Sequence, residues 1–129
     1  MNSTIKDVSI NFPEEGLCTG CEVDGLGDNK YLLREHPLMA DSAKHGDTIE
    51  AIVESSGQIR FIKVIEESKA IMHEYILSKD IIASEPFKLF KEMLNNNDIF
   101  WQNDFGGVFI CFTNPGSKID IAHEMSKFT

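Results

Sequence analysis

The run from Gly46 to Glu66 constrains this chain most. Gly46-Asp47 forms a turn signal, and Ile49, Ala51 and Val53 then alternate with more polar neighbours. Ser55-Ser56-Gly57 interrupts the run before Ile59-Arg60-Phe61-Ile62-Lys63-Val64-Ile65-Glu66 resumes it. Side chains on a strand alternate between its two faces, so a period of two around a glycine turn predicts a β-hairpin. The second arm is apolar on both faces, which predicts a central strand of a curled sheet. Segments 17–23 and 30–33 read as two further strands, separated by the turn residues Gly25 to Asn29. Residues 17–67 are therefore expected to form a small antiparallel sheet, curled into a partial barrel.

The periodicity changes near residue 84. Ser84 stands where a helix N-cap belongs, with Glu85 and Pro86 in the first turn. Phe87, Phe90, Met93 and Leu94 then recur at helical spacing, and Asn95-Asn96-Asn97 ends the segment. Strands are expected over 70–77, 99–102 and 108–113, the last two joined by the hairpin residues Asp104-Phe105-Gly106-Gly107. Ser117, with Asp120 three residues later, predicts the start of a final helix carrying Ile121, Met125 and Phe128. The expected fold class is α+β: the curled sheet, then a β-α-β-β-α half with its helices on one face. Residues 1–129 are expected to make a single domain, with a β-rich half at 1–69 and the second half at 70–129.

Charge limits what such a scaffold can bind. The chain carries 12 Lys and Arg against 21 Asp and Glu, a net charge of −9. That surplus repels phosphate backbones and argues against direct nucleic-acid binding. It is densest early, since Lys6 to Lys30 enclose Asp7, Glu14, Glu15, Glu22, Asp24 and Asp28 with no basic residue between them. Asp47, Glu50 and Glu54 form a second acidic stretch between Lys44 and Arg60. Acidity of this kind serves solubility, and it also steers a basic partner. The absence of a long apolar run and of a basic-then-apolar N-terminus leads us to expect a cytoplasmic protein without a membrane partner.

Each candidate reactive group lacks a partner at the spacing that chemistry needs. Cys18-Thr19-Gly20-Cys21 has the C-x-x-C interval, but no second pair follows and His36, His45, His73 and His123 occur singly. Cys111 lies within the apolar run Val108 to Phe112, and His123-Glu124 has no second histidine one helical turn on. His73-Glu74 falls on an expected strand, where neighbours face opposite ways. No catalytic residue, metal site or cofactor is expected.

The stretch Gly27-Asp28-Asn29-Lys30-Tyr31, the proline-centred connection His36-Pro37-Leu38-Met39 and Gly46-Asp47-Thr48-Ile49-Glu50 together resemble an uncharacterised bacterial family. Its members carry a Gly-Asp-x-x-Tyr stretch, an Ile-Pro-Phe-Phe-like segment and a Gly-Asp-x-Val-Glu turn-strand; the likeness covers roughly residues 17–126 and implies an architecture more than an activity. By type, a small acidic chain without reactive groups is similar to the immunity proteins that neutralise nuclease toxins, including those of contact-dependent growth inhibition. That likeness implies a non-enzymatic toxin inhibitor whose partner is a basic nuclease domain, a ribonuclease by expectation. Its acidic contacts are expected from Glu14, Glu15, Glu22, Asp24, Asp28, Asp47, Glu50 and Glu54, with an aromatic anchor from Trp101 or Phe105. The alternative is a small-ligand-binding regulatory module, marked by an apolar pocket with convergent polar groups.

Overall fold

Val8, Ile10 and Phe12 alternate inward along β1 (Thr4–Phe12), a strand that the sequence expectation lacked. The computed structural model describes residues 4–128, in two compact units divided between Ser68 and Lys69. In the first unit a 3₁₀ turn, Pro13–Glu15, folds β1 back onto β2 (Leu17–Gly27), with pairing from Phe12 opposite Leu17 to Thr4 opposite Gly25. β3 (Lys30–Leu33), β4 (Thr48–Val53) and β5 (Ile59–Glu66) follow, each antiparallel to its predecessor.

The barrel is closed, and it is mixed where the sequence predicted a purely antiparallel sheet. β5 runs parallel to β1, over the pairs Ile10–Ile59 and Asn11–Arg60. Two register shifts, between Thr48 and Ile49 and between Glu50 and Ala51, re-aim β5 against β4. Ile59, Phe61 and Val64 thereby turn to the core, while Ile62 and Ile65 remain 41% and 44% exposed. β5 is consequently not buried on both faces, because a bulge changes the parity on which that expectation rested. Ala40 and Ala43, from the long β3–β4 connection, complete a core of Ile10, Phe12, Val23, Tyr31, Leu33, Ile49 and Ala51.

The second unit holds the antiparallel sheet β6 (Ile71–Ile76), β8 (Val108–Thr113), β7 (Phe100–Asp104), with β8 central. Helices α1 (Lys79–Ile82) and α2 (Glu85–Asn96) connect β6 to β7, and α3 (Ile121–Met125) follows β8. Ser84 caps α2 as its position implied, its hydroxyl accepting the Phe87 N–H at 3.3 Å. Phe87 packs edge-on to Phe109 with centroids 5.1 Å apart, and Phe90, Leu94, Cys111, Ile121 and Met125 fill the same core. Burying each large side chain contributes about 1.5–3 kcal/mol. The last helix begins three residues later than expected. Ser117 instead closes a local turn by accepting the Ile119 N–H, and Asp120 caps α3 through the His123 N–H.

Candidate functional site

On β1 and β2 the odd-numbered side chains of one strand meet the even-numbered ones of the other outside the barrel. Asp7 therefore stands directly opposite Glu22 on the outer face. Like charges in that position destabilise a sheet. A third carboxylate joins them: Glu35, just beyond β3, accepts the Glu22 backbone N–H through Oε1 at 2.6 Å. Arg34 donates to Glu22 Oε1 at 3.2 Å, the one salt bridge that any of the three carboxylates makes among the described residues. The thiol of Cys21 lies beneath them, pushed up to about 12 by burial, with the charges of Glu35, Glu22 and Asp7 adding to the effect. Asp7 and Glu35 were absent from the expected contact set. Glu35 follows a strand end, and Asp7 gains its neighbour only through the β1–β2 pairing.

The expected acidic residues separate into those left at the surface and those occupied within the fold. Asp28 is exposed in the β2–β3 turn with φ 54°, and Glu14 is exposed beside the β1–β2 turn. Asp24 lies on the outer face of β2, with one carboxylate oxygen buried and unbonded. Asp47 is corrected outright as a contact residue: it is only 2% exposed, and its carboxylate accepts the backbone N–H groups of Ser68 and Lys44. Glu15 accepts the Asp41 N–H, the Ser42 N–H and the Ser42 hydroxyl, which hold its carboxyl below the usual carboxylate range. Glu50 pairs across strands with both Lys30 and Lys63, the latter's ammonium 3.9 Å from its carboxylate. Glu54 accepts from Gln58 Nε2 at 3.0 Å, closing the β4–β5 turn.

The two expected aromatic anchors behave differently. Trp101 is half-buried against the helices, stacked 5.8 Å from Phe109, and its indole N–H donates to Asn95 at 2.8 Å. Lys91 lies over the same ring at 5.2 Å. Part of its surface is thus taken up by packing within the second unit. Phe105 is 75% exposed at the β7–β8 tip, with φ 52°. A phenylalanine in the left-handed region carries a conformational cost that glycine does not.

Cys18 and Cys21 lie three residues apart on β2 and so face opposite sides of the strand: Cys18 is exposed beside Ser9, Cys21 is buried, and both are free thiols. Among the described residues no group of three or more His, Cys, Asp or Glu could hold a metal ion. His73 Nε2 lies 2.8 Å from Thr113 Oγ1, in a hollow also lined by Ser117, Lys118 and Asp120, and burial lowers its pKa. Among the described residues no helix is long and apolar enough to cross a membrane.

No protein-family model matches the chain, and no curated protein matches it. It is similar in structure to a hypothetical protein from Neisseria gonorrhoeae, with a TM-score of 0.57 at 14% sequence identity. The match covers 99% of this chain and 89% of that one. At that identity the likeness is one of fold.

Proposed function

We propose that this chain is a non-enzymatic binding protein of the immunity type, an inhibitor that holds a basic nuclease toxin domain, a ribonuclease by preference, against the outer face of its barrel. The observation that carries the reading is the placement of Asp7 opposite Glu22, with Glu35 bonded to the Glu22 backbone and Arg34 paired to the Glu22 carboxylate. Two carboxylates facing each other across a ladder cost the free protein stability, and a cationic partner removes that cost on binding. The Glu35 contact fixes one carboxylate in advance, so less ordering is required when the partner arrives. Phe105 supplies an apolar contact of its own, since an exposed aromatic ring on a strained tip has no packing role in the unit that bears it. The free thiols fit a reducing, cytoplasmic setting.

The test is complex formation with the product of the reading frame adjacent to its gene, followed by loss of nuclease activity. Failure of that protein to bind, or binding without inhibition, contradicts the proposal.

A further inference from the structure

The ladder that closes the barrel ends after one pair of rungs, and a groove opens where it stops. Asn11 and Arg60 form the last pair between β1 and β5. Beyond it the chain turns away through Phe12, Pro13 and Glu14 on one side and continues through Phe61 and Ile62 on the other. These residues, with Arg60 and Ser42, line a hollow of about 260 Å³. Its floor is the half-buried Phe61 ring, backed 5.1 Å away by the Phe12 ring, which is itself only 1% exposed.

Two residues of opposite charge, Glu14 and Arg60, are among those that line the groove. Among the described residues no ion pair or side-chain hydrogen bond engages the Arg60 guanidinium or the Glu14 carboxylate, and the two do not pair together. An arginine with no such partner among the described residues stands out in a chain of net charge −9, where carboxylates are plentiful. A third lining residue, Ser42, is held in place. Glu15 accepts both N–H groups and the hydroxyl of the 41–42 segment, which anchors Ser42 and leaves its oxygen as an acceptor.

We infer that this groove binds a free amino acid with an apolar side chain. A guanidinium takes a carboxylate through two parallel N–H bonds, and a carboxylate takes an ammonium. An α-amino acid presents both charges on one carbon and places its side chain on the half-buried Phe61 ring. The volume lies just below the range of drug-sized pockets and fits a ligand of that size. The site lies apart from Asp7, Glu22 and Glu35 and does not depend on the toxin-binding reading.

The full chain, labelled with nitrogen-15, is titrated with L-phenylalanine and with L-leucine to about 10 mM. N-acetyl-L-phenylalanine, which keeps only the carboxylate, and L-phenylalaninamide, which keeps only the ammonium, serve as comparisons. Saturable amide shifts are expected at Glu14 and at Arg60 to Ile62 with at least one amino acid, and each blocked analogue should bind at least about fivefold more weakly than L-phenylalanine. Arg60→Gln should weaken the amino acid by about tenfold or more, whereas Glu14→Gln should weaken it and leave N-acetyl-L-phenylalanine unchanged. Glu14 is exposed, so its variant keeps the test decisive should Arg60→Gln disturb the fold. Shifts with neither amino acid, shifts confined to other residues, or equal binding of a blocked analogue would overturn the inference.

Discussion

Asp47 reaches 21 residues along the chain to accept the backbone N–H of Ser68 at 2.7 Å, and so ties the entrance of β4 to the segment that leaves β5. The same carboxylate accepts the Lys44 N–H at 3.0 Å, and Lys44 Nζ lies 3.4 Å from its other oxygen. Gly46 is fitted to this junction: its φ is 89°, and a Cβ there would stand 2.8 Å from Ser68 Oγ. Asp47→Ala leaves two half-buried N–H groups without an acceptor and should cost about 1–3 kcal/mol, measured by urea unfolding followed by circular dichroism. A loss below about 0.5 kcal/mol would show that water replaces the carboxylate freely.

How much of this was legible in the sequence depended on whether a signal was local. The Ser84 cap and the Phe87-Phe90-Leu94 stripe follow from neighbours within a turn of chain and form where their residues place them, and the hairpin expected at 104–107 turns at 105–107 because Asp104 pairs with Val108. β1 was missed because its alternation covers only Val8, Ile10 and Phe12, while Ile5 falls on the outer face at 56% exposure. The parallel closure and the shifts opposite β5 arise from long-range pairing, which no window of sequence reports. The acidic surface was legible in amount and not in arrangement: Asp47 is buried and Glu15 and Glu54 are half-buried, all three bonded to loop or turn groups, while Asp7 and Glu35 acquired their neighbour through β1 and the β3 exit.

Acid should weaken the barrel in two separate windows. Burial, with His36 and Arg34 adding their positive charge against the opposing pull of Asp47, lowers the His45 pKa. An unfolded chain therefore binds a proton at His45 more readily than the folded one. Its neutral form costs nothing above the unfolded value of about 6.5, and stability falls as pH drops below that point. Glu15 acts lower: its lowered pKa supplies stability that is present above the ordinary value of 4.5 and lost as pH falls through the folded one. Urea midpoints from pH 8 to pH 4 should thus fall first near about 6.5, and His45→Gln should flatten that first step only. An unchanged step in His45→Gln would assign it to another group.

Thiol chemistry should separate the three cysteines. Cys18 is exposed, whereas burial pushes the Cys21 and Cys111 thiols up to about 12. A thiol-specific disulfide reagent at about pH 8 should modify one cysteine per native chain, at position 18, and all three once the chain is unfolded. Rapid labelling of Cys21 in the native protein would contradict its placement beneath Glu22 and Glu35.

The second unit should depend on one ring above the rest. Phe87 is fully buried and touches the Phe90, Phe109 and Phe128 rings at 5.8, 5.1 and 5.5 Å. Phe87→Ala should cost about 3–5 kcal/mol and shift the fluorescence of Trp101, which stacks on Phe109 in the same core. A change smaller than about 1 kcal/mol would mean that the helices repack over the gap without loss.

The decisive measurement for partner binding is the affinity of the adjacent gene's product at rising ionic strength, by calorimetry from about 0.05 to about 0.5 M salt, for the native chain and for Asp7→Asn with Glu22→Gln. The complex should weaken at least about tenfold over that range, with the double variant weaker at low salt and much less sensitive to added salt. An affinity that is indifferent to salt and to both substitutions, or no complex at all, would contradict the proposed binding.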